Sequence, residues 1–272
     1  MGVKDLLSEM PDWVKKEIDF DDYVDYLKPP VGTWGGKIHR ITIDSDCHTL
    51  NFRTDVFSDA ALAKQWADWK DKAGLETWGK PSTWQQVQQV TKFLKGKKLD
   101  GKDLYGYLDP TKGWGGFAFY FLGSRATAYA KHPDDKAFLF DADTMKPRVN
   151  NPAWVRAIQD VLDALPSEPA DQLNADPGTT GFQQFLAGTG SMLSWWGDIG
   201  SNVYTNDSST IQGKAAFDIL PGSDDVYNFR KGQWEKLASG LNHSPNMAYL
   251  GWGVYVMARV DADRSEEHTS EL

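Results

Sequence analysis

The chain has 272 residues, 40% of them hydrophobic, with 38 acidic against 29 basic side chains and a formal net charge of −9. An acidic chain without a long basic run excludes a phosphate-binding surface for DNA or RNA. At roughly 150 residues per domain the length points to two lobes. The single cysteine, Cys47, leaves no internal disulfide and no cysteine-based metal cage.

Residues 3–28 carry Trp13, Phe20, Tyr23 and Tyr26 among acidic residues and stop at Pro29-Pro30, the pattern of short helices with a packing face. Nothing before Lys37 reads as a strand. Lys37–Asp44 is β-branched and alternating, so one strand is expected to run into Ser45-Asp46-Cys47-His48, followed by a second strand at Thr49–Arg53. Ala60–Lys72 has helical spacing with Leu62, Trp66 and Trp69 inward. Pro81-Ser82-Thr83-Trp84 opens another helix, whose apolar positions Trp84, Val87, Val90, Phe93 and Leu94 keep the 3.6 period.

Leu104–Leu108 reads as a short strand, Asp109–Gly116 (DPTKGWGG) as a glycine-rich loop carrying Trp114, and Phe117–Ala130 as a long aromatic helix. A hairpin is expected within Ala137–Val149 around Asp141-Ala142-Asp143. Asn151-Pro152 caps a helix to Leu165, with Val155, Ile158, Val161 and Leu162 facing inward. A proline- and acid-rich surface loop spans Pro166–Pro177. The chain then offers a strand at Ala215–Leu220 ending in Pro221-Gly222, and a last apolar strand at Met247–Arg259 with Gly251-Trp252-Gly253 at its entrance.

The segment Phe182–Asp198 (FQQFLAGTGSMLSWWGD) carries the strongest chemistry. Phe182, Phe185 and Leu186 share a helix face, Gly188 stands where a glycine closes a helix, and Ser191–Trp195 is a strand. Ligands of α/β sheets gather beyond the carboxyl ends of strands. A Trp195-Trp196-Gly197-Asp198 turn placed there offers stacking faces and a hydrogen-bond acceptor, which match the apolar faces and hydroxyl fringe of a sugar ring.

The last nine residues, Arg264–Leu272 (RSEEHTSEL), resemble a translated short-read sequencing adapter at every position, so a non-native tail is expected from 264 to 272. No run approaches the ~20 apolar residues of a membrane span. The start Met1-Gly-Val-Lys-Asp lacks the basic and apolar regions of a secretory signal.

Taken in order, the pieces are Asp46-Cys47-His48-Thr49-Leu50-Asn51-Phe52-Arg53-Thr54-Asp55-Val56-Phe57, Pro81-Ser82-Thr83-Trp84, Asn151-Pro152-Ala153-Trp154, Phe185-Leu186-Ala187-Gly188, Trp196-Gly197-Asp198, Leu220-Pro221-Gly222 and Gly251-Trp252-Gly253. In this order and spacing the chain resembles, over residues 30–260, an extracellular solute-binding protein of a bacterial ABC importer, of the sugar-binding family 1 type. The resemblance implies an α/β, two-lobe periplasmic-binding-protein fold of class II type, truncated at both ends. Residues 1–49 would be a partial first lobe, 50–246 the second lobe, and 247–263 the return to the first.

It further implies a monomeric receptor, without cofactor, metal or catalytic residues, that takes a small-molecule sugar in a cleft and delivers it to the membrane permease subunits. Its location would be periplasmic or extracellular, with the signal peptide lost by truncation. The implied ligand contacts are Asp46 in the loop before the hinge strand, Trp114 in the covering loop, Trp195, Trp196 and Asp198 in the opposite wall, and Trp252 on the returning strand. His48 and Arg125 lie within reach of that cleft, although both residue types in such positions usually serve structure.

Two rival readings stand beside it. A glycoside-active enzyme would need a pair of carboxyl groups across the scissile bond, and the sequence supplies no distinctive pair. A receptor for another polar solute, such as a polyol or an amino-acid derivative, fits the same residues. Cys47-His48 is an unsuitable thiol dyad because strand neighbours face opposite sides. No nucleophile elbow, Walker loop or H-E-x-x-H is present, and His39, His48, His132 and His243 are scattered.

Overall fold

The computed structural model describes residues 6–109, 111–112, 117–141, 143–170, 172–174, 176, 180–244 and 251–259. Its helices are α1 (Asp12–Glu17), α2 (Thr54–Phe57), α3 (Ala60–Ala67), α4 (Trp84–Leu94), α5 (Phe117–Ala130), α6 (Pro152–Ala164), α7 (Phe182–Leu186) and α8 (Ile199–Thr205). Its strands are β1 (Thr33–Trp34), β2 (Lys37–Ile38), β3 (Ile41–Thr42), β4 (Thr49–Arg53), β5 (Lys97–Leu99), β6 (Lys102–Tyr107), β7 (Gly190–Trp195), β8 (Ala215–Asp218), β9 (Val226–Asn228), β10 (Gln233–Glu235) and β11 (Gly253–Val254). The chain divides into two compact units, Met1–Asp46 with Tyr249–Leu272, and Cys47–Ala248.

In the first unit the expected single strand Lys37–Asp44 is broken in two. β2 pairs with β1, which the sequence did not announce, while β3 pairs antiparallel with β11. The break falls at His39 and Arg40, both buried, where the chain changes partner: the His39 N–H bonds to Gly32 and the Arg40 guanidinium turns to the carbonyl of Gly251. The first part of the expected Met247–Arg259 strand lies outside the described residues. Strand pairing is confined to Gly253–Val254, with an isolated bridge from Met257 to Leu7.

The second unit is built on a five-stranded sheet in the order β5-β6-β7-β4-β8. β6 and β7 run parallel, and β4 runs antiparallel to both β7 and β8. Every residue of β7 is buried because the sheet is covered on both faces. The pleat sends Met192 to the larger apolar cluster with α4 and α6, and sends Leu193 and Trp195 to a second cluster with Phe121, α7 and α8.

Helix α4 follows its sequence pattern but starts at Trp84, with Thr83 as the cap. The Thr83 hydroxyl accepts from the Gln86 N–H at 3.2 Å, and Gln86 Oε1 in turn accepts from the Ser82 N–H at 2.9 Å. The helix expected over Ala60–Lys72 ends at Ala67, and Trp69, beyond its end, still packs on Trp66 and Phe93.

Helix α6 presents a different face from the one expected. Ala153, Trp154, Ala157, Val161 and Ala164 are buried, while Val155, Ile158 and Leu162 are exposed. Trp154 decides this orientation by stacking on Phe138 at 5.4 Å and on Phe119 at 5.9 Å. The expected hairpin after Ala137 reduces to one bridge, Phe140 to Pro147, closed by the Asp141 carboxylate accepting from the Thr144 N–H and hydroxyl.

Candidate functional site

The register of the sheet sets what meets at its edge. Because β6 and β7 are parallel and β4 is antiparallel to them, with Thr49 opposite Trp195, the carboxyl ends of β6 and β7 and the amino end of β4 share one edge. The residues just past it are Leu108-Asp109, Trp196-Gly197-Asp198 and, before β4, His48.

The entry to β7 is fixed by glycines. Gly188 has φ +79°, and a side chain there would press on the Thr210 hydroxyl, while its carbonyl accepts from the Arg53 guanidinium. Arg53 is itself held by Asp55 at 3.0 and 2.6 Å. A Cβ on Gly190 would collide with Leu108, the residue that follows the neighbouring strand β6.

At the other end of β7 the two indoles part company. Trp195, expected in the ligand wall, is 7% exposed and sits in the second apolar cluster, with ring centroids 5.0 Å from Phe182 and 5.7 Å from Phe121. Successive residues of a strand face opposite sides, and the side packed by Phe121, α7 and α8 claims Trp195. Trp196, one residue beyond the strand, is half-buried and stands edge-on to Trp195 at 5.3 Å, Phe121 at 5.5 Å, Tyr120 at 6.5 Å and His48 at 4.4 Å. A ring set in such a frame loses little freedom on stacking with a ligand.

Asp198 follows at the surface, just before α8. Partial burial raises its pKa, against the Trp195 indole and the Ile199 N–H, which favour the ionised form. Its backbone carbonyl accepts from the Asn202 side chain at 2.9 Å, so its position is tied to the helix.

His48 lies beneath Trp196 rather than in an open cleft. It is 2% exposed, its Nδ1 is 2.6 Å from the Ser124 hydroxyl, and its ring stacks on Phe121 at 4.6 Å. Burial lowers its pKa to about 3, so the ring is neutral. Cys47 is exposed and His48 is committed to Ser124, an arrangement unlike a thiol dyad. Arg125 is also enclosed, 1% exposed and paired with Asp109. The roles of Tyr120, Phe121 and Ser124 were missed in the sequence. Their signal was the i, i+1, i+4 spacing on the aromatic helix.

In the first unit Trp252 is 66% exposed while its backbone is pinned. Its N–H donates to the Asp44 carboxylate and its carbonyl accepts from Ile43 at 3.0 Å. Both flanking glycines are demanded by close approach: Gly251, at φ +76°, has the Asp44 carbonyl where a Cβ would lie, and Gly253 has the Arg40 guanidinium. Asp46 is half-buried. Trp114 lies outside the described residues. Among the described residues no group of three or more His, Cys, Asp or Glu is arranged to hold a metal ion.

No protein family and no curated protein matches the sequence itself. Solved structures do match. A ribitol-bound ABC-transporter solute-binding protein from Agrobacterium radiobacter aligns over 97% of this chain and 56% of its own, with 19% identity and a TM-score of 0.66. The fold is that of a solute-binding protein.

Maltose-bound MalE3 of T. maritima matches 98% of this chain and 56% of its own at 15% identity and TM-score 0.63. A D-mannitol-bound solute-binding protein from Agrobacterium vitis covers 98% and 54%, at 17% identity and TM-score 0.59. The chain thus has the mixed α/β architecture of the two-lobe solute-binding proteins and spans a little over half the length of these three. Among the described residues no helix is long and apolar enough to cross a membrane.

Proposed function

We propose that this chain is part of a substrate-binding receptor of an ABC importer, which captures a sugar or polyol and hands it to the permease subunits. The observation that carries the reading is the framed, half-buried Trp196 beside the tethered Asp198 at the carboxyl edge of the sheet, on a fold shared with ribitol-, mannitol- and maltose-bound proteins. A ring face and a carboxylate acceptor supply what a polyhydroxylated ligand needs.

In this reading residues 1–49 and 247–263 belong to the first lobe, 50–246 to the second, and 264–272 are a non-native tail. Asp46, Trp114 and Trp252 join Trp196 and Asp198 as ligand contacts, and Trp195 backs them from the core. The receptor works as a monomer in the periplasm or outside the cell. It closes because the ligand binds the closed form more tightly than the open form, and it returns the ligand unchanged.

The test is calorimetric titration of the full-length protein with ribitol, mannitol, maltose, xylo-oligosaccharides and chito-oligosaccharides, followed by analysis of the recovered ligand. One chemical class should bind and come back intact. Release of reducing ends that disappears on changing a single carboxylate would establish a glycoside-active enzyme instead, and a folded protein that binds none of the panel would remove the sugar and polyol reading.

A further inference from the structure

The same sheet edge carries a second, fully enclosed arrangement. Arg125 of α5, 1% exposed, donates from Nη2 to both carboxylate oxygens of Asp109, at 2.7 and 2.8 Å. Its guanidinium lies 4.4 Å from the Trp84 ring centroid and 5.3 Å from that of Tyr107. Glu168, just after α6, is buried beside the Asp109 carboxyl and backbone N–H, yet neither of its oxygens reaches a well-aligned hydrogen bond. Gln172 completes the junction: its Nε2 donates to the Asp109 carbonyl at 2.9 Å, and its own carbonyl accepts from the Thr111 hydroxyl at 2.7 Å.

One guanidinium therefore serves two buried carboxyl groups. With both ionised, a net negative charge would sit out of water at low dielectric, and a buried carboxyl in that position takes up a proton instead. Burial and the neighbouring Asp109 raise Glu168 well above the usual carboxylate range, with Arg125 acting the other way. Burial raises Asp109 too, against the charge and hydrogen bonds of Arg125. The other groups facing the pair are Tyr107 on β6, Tyr129 on α5, and Asp160 on α6, which accepts from the Tyr129 hydroxyl at 2.5 Å. Arg156 of α6 lies over the Tyr129 ring at 4.5 Å.

We propose that Asp109 and Glu168 hold one shared proton under Arg125, forming a pH-sensitive latch that ties the α6–α7 connection to the end of β6, at the edge that carries Trp196 and Asp198. Its bearing on solute capture rests on the receptor reading. The proton does not, and its test uses no sugar.

Glu168 is protonated in the fold and ionised in the unfolded chain above about pH 4.5. Its stabilising contribution is full below that pH and falls about tenfold in the folding equilibrium for each pH unit above it, until the raised folded pKa is passed. Beyond that point two carboxylates face one cation and the latch loosens. His48 has the opposite slope in acid, so the informative quantity is the difference between wild type and variant.

The experiment is urea unfolding of the full chain and of Glu168→Gln at pH 5, 6, 7 and 8, with infrared spectra of both at pH 7. The variant should gain on the wild type by about tenfold in folding equilibrium per pH unit until the difference levels off. The wild type should show the carbonyl stretch of a buried protonated carboxyl that Glu168→Gln lacks. If that variant fails to fold, the wild-type band and its loss in Asp109→Asn, where Glu168 inherits Arg125, decide the matter. Parallel pH profiles, or no protonated carboxyl in the wild type at pH 7, overturn the proposal.

Discussion

Replacing Arg125 by Met keeps an unbranched stem between Trp84 and Tyr107 but deletes the guanidinium, leaving Asp109 and Glu168 buried without it. The loss is set by the stranded carboxyl: removing one partner of a buried ion pair costs about 3–5 kcal/mol. The two hydrogen bonds to Asp109 and the contacts with Trp84 and Tyr107 fall within that figure and do not add to it. A carboxyl can escape the penalty by protonation, at about 1.4 kcal/mol per pH unit. Arg125→Met should therefore lose about 3–5 kcal/mol at pH 8 and markedly less at pH 5. Removing both charges in Arg125→Met/Asp109→Leu should recover much of the loss, because the apolar pair strands no charge and the Glu168 carboxyl that remains buried is neutral when it keeps its proton. Urea unfolding followed by circular dichroism at the two pH values measures each term. A loss under about 1 kcal/mol at pH 8, a loss independent of pH, or a double variant as unstable as the single one would refute the argument.

Three further outcomes are expected. Trp196→Ala and Asp198→Asn should weaken ligand binding by about tenfold or more with the fold intact, since an aromatic contact is worth about 0.5–1.5 kcal/mol beyond its area and a charged hydrogen bond about 1.5–3. Trp195→Ala should instead lower stability by about 3–5 kcal/mol, and calorimetry beside thermal melts separates the two kinds of effect. Gly251→Ala should weaken binding as much as Trp252→Ala, because a methyl group at φ +76° meets the Asp44 carbonyl and displaces the indole; equal affinity of Gly251→Ala and the parent would show that Trp252 is not a contact. With its pKa at about 3, His48 supports stability in full above pH 6.5 and progressively less as pH falls towards 3. Between pH 7 and pH 5 the parent should then lose about 2 kcal/mol more than His48→Phe in urea unfolding.

The sequence by itself determined the local pieces. Thr49–Arg53 and Phe117–Ala130 have the bounds that their patterns announced, and Gly188 closes its helix with positive φ, because β-branching, periodicity and a C-terminal glycine act within a few residues. The Trp195-Trp196-Gly197-Asp198 turn was legible in the same way, as an apolar strand ending in polar and aromatic residues.

Tertiary structure decided which side of each piece is used. Val155, Ile158 and Leu162 keep as good a helical spacing as the residues that are buried, and the choice fell to the face on which Trp154 finds Phe138 and Phe119. Strand alternation requires Trp195 to face away from its neighbour in the strand, but only the cover of Phe121 and Phe182 makes its side the core and leaves Trp196 at the edge. Asp109, Arg125 and Glu168 lie on three separate segments with no local signal linking them. Their joining, and the proton it requires, arises because folding withdraws charge from water, and the sequence does not state which charges will be withdrawn together.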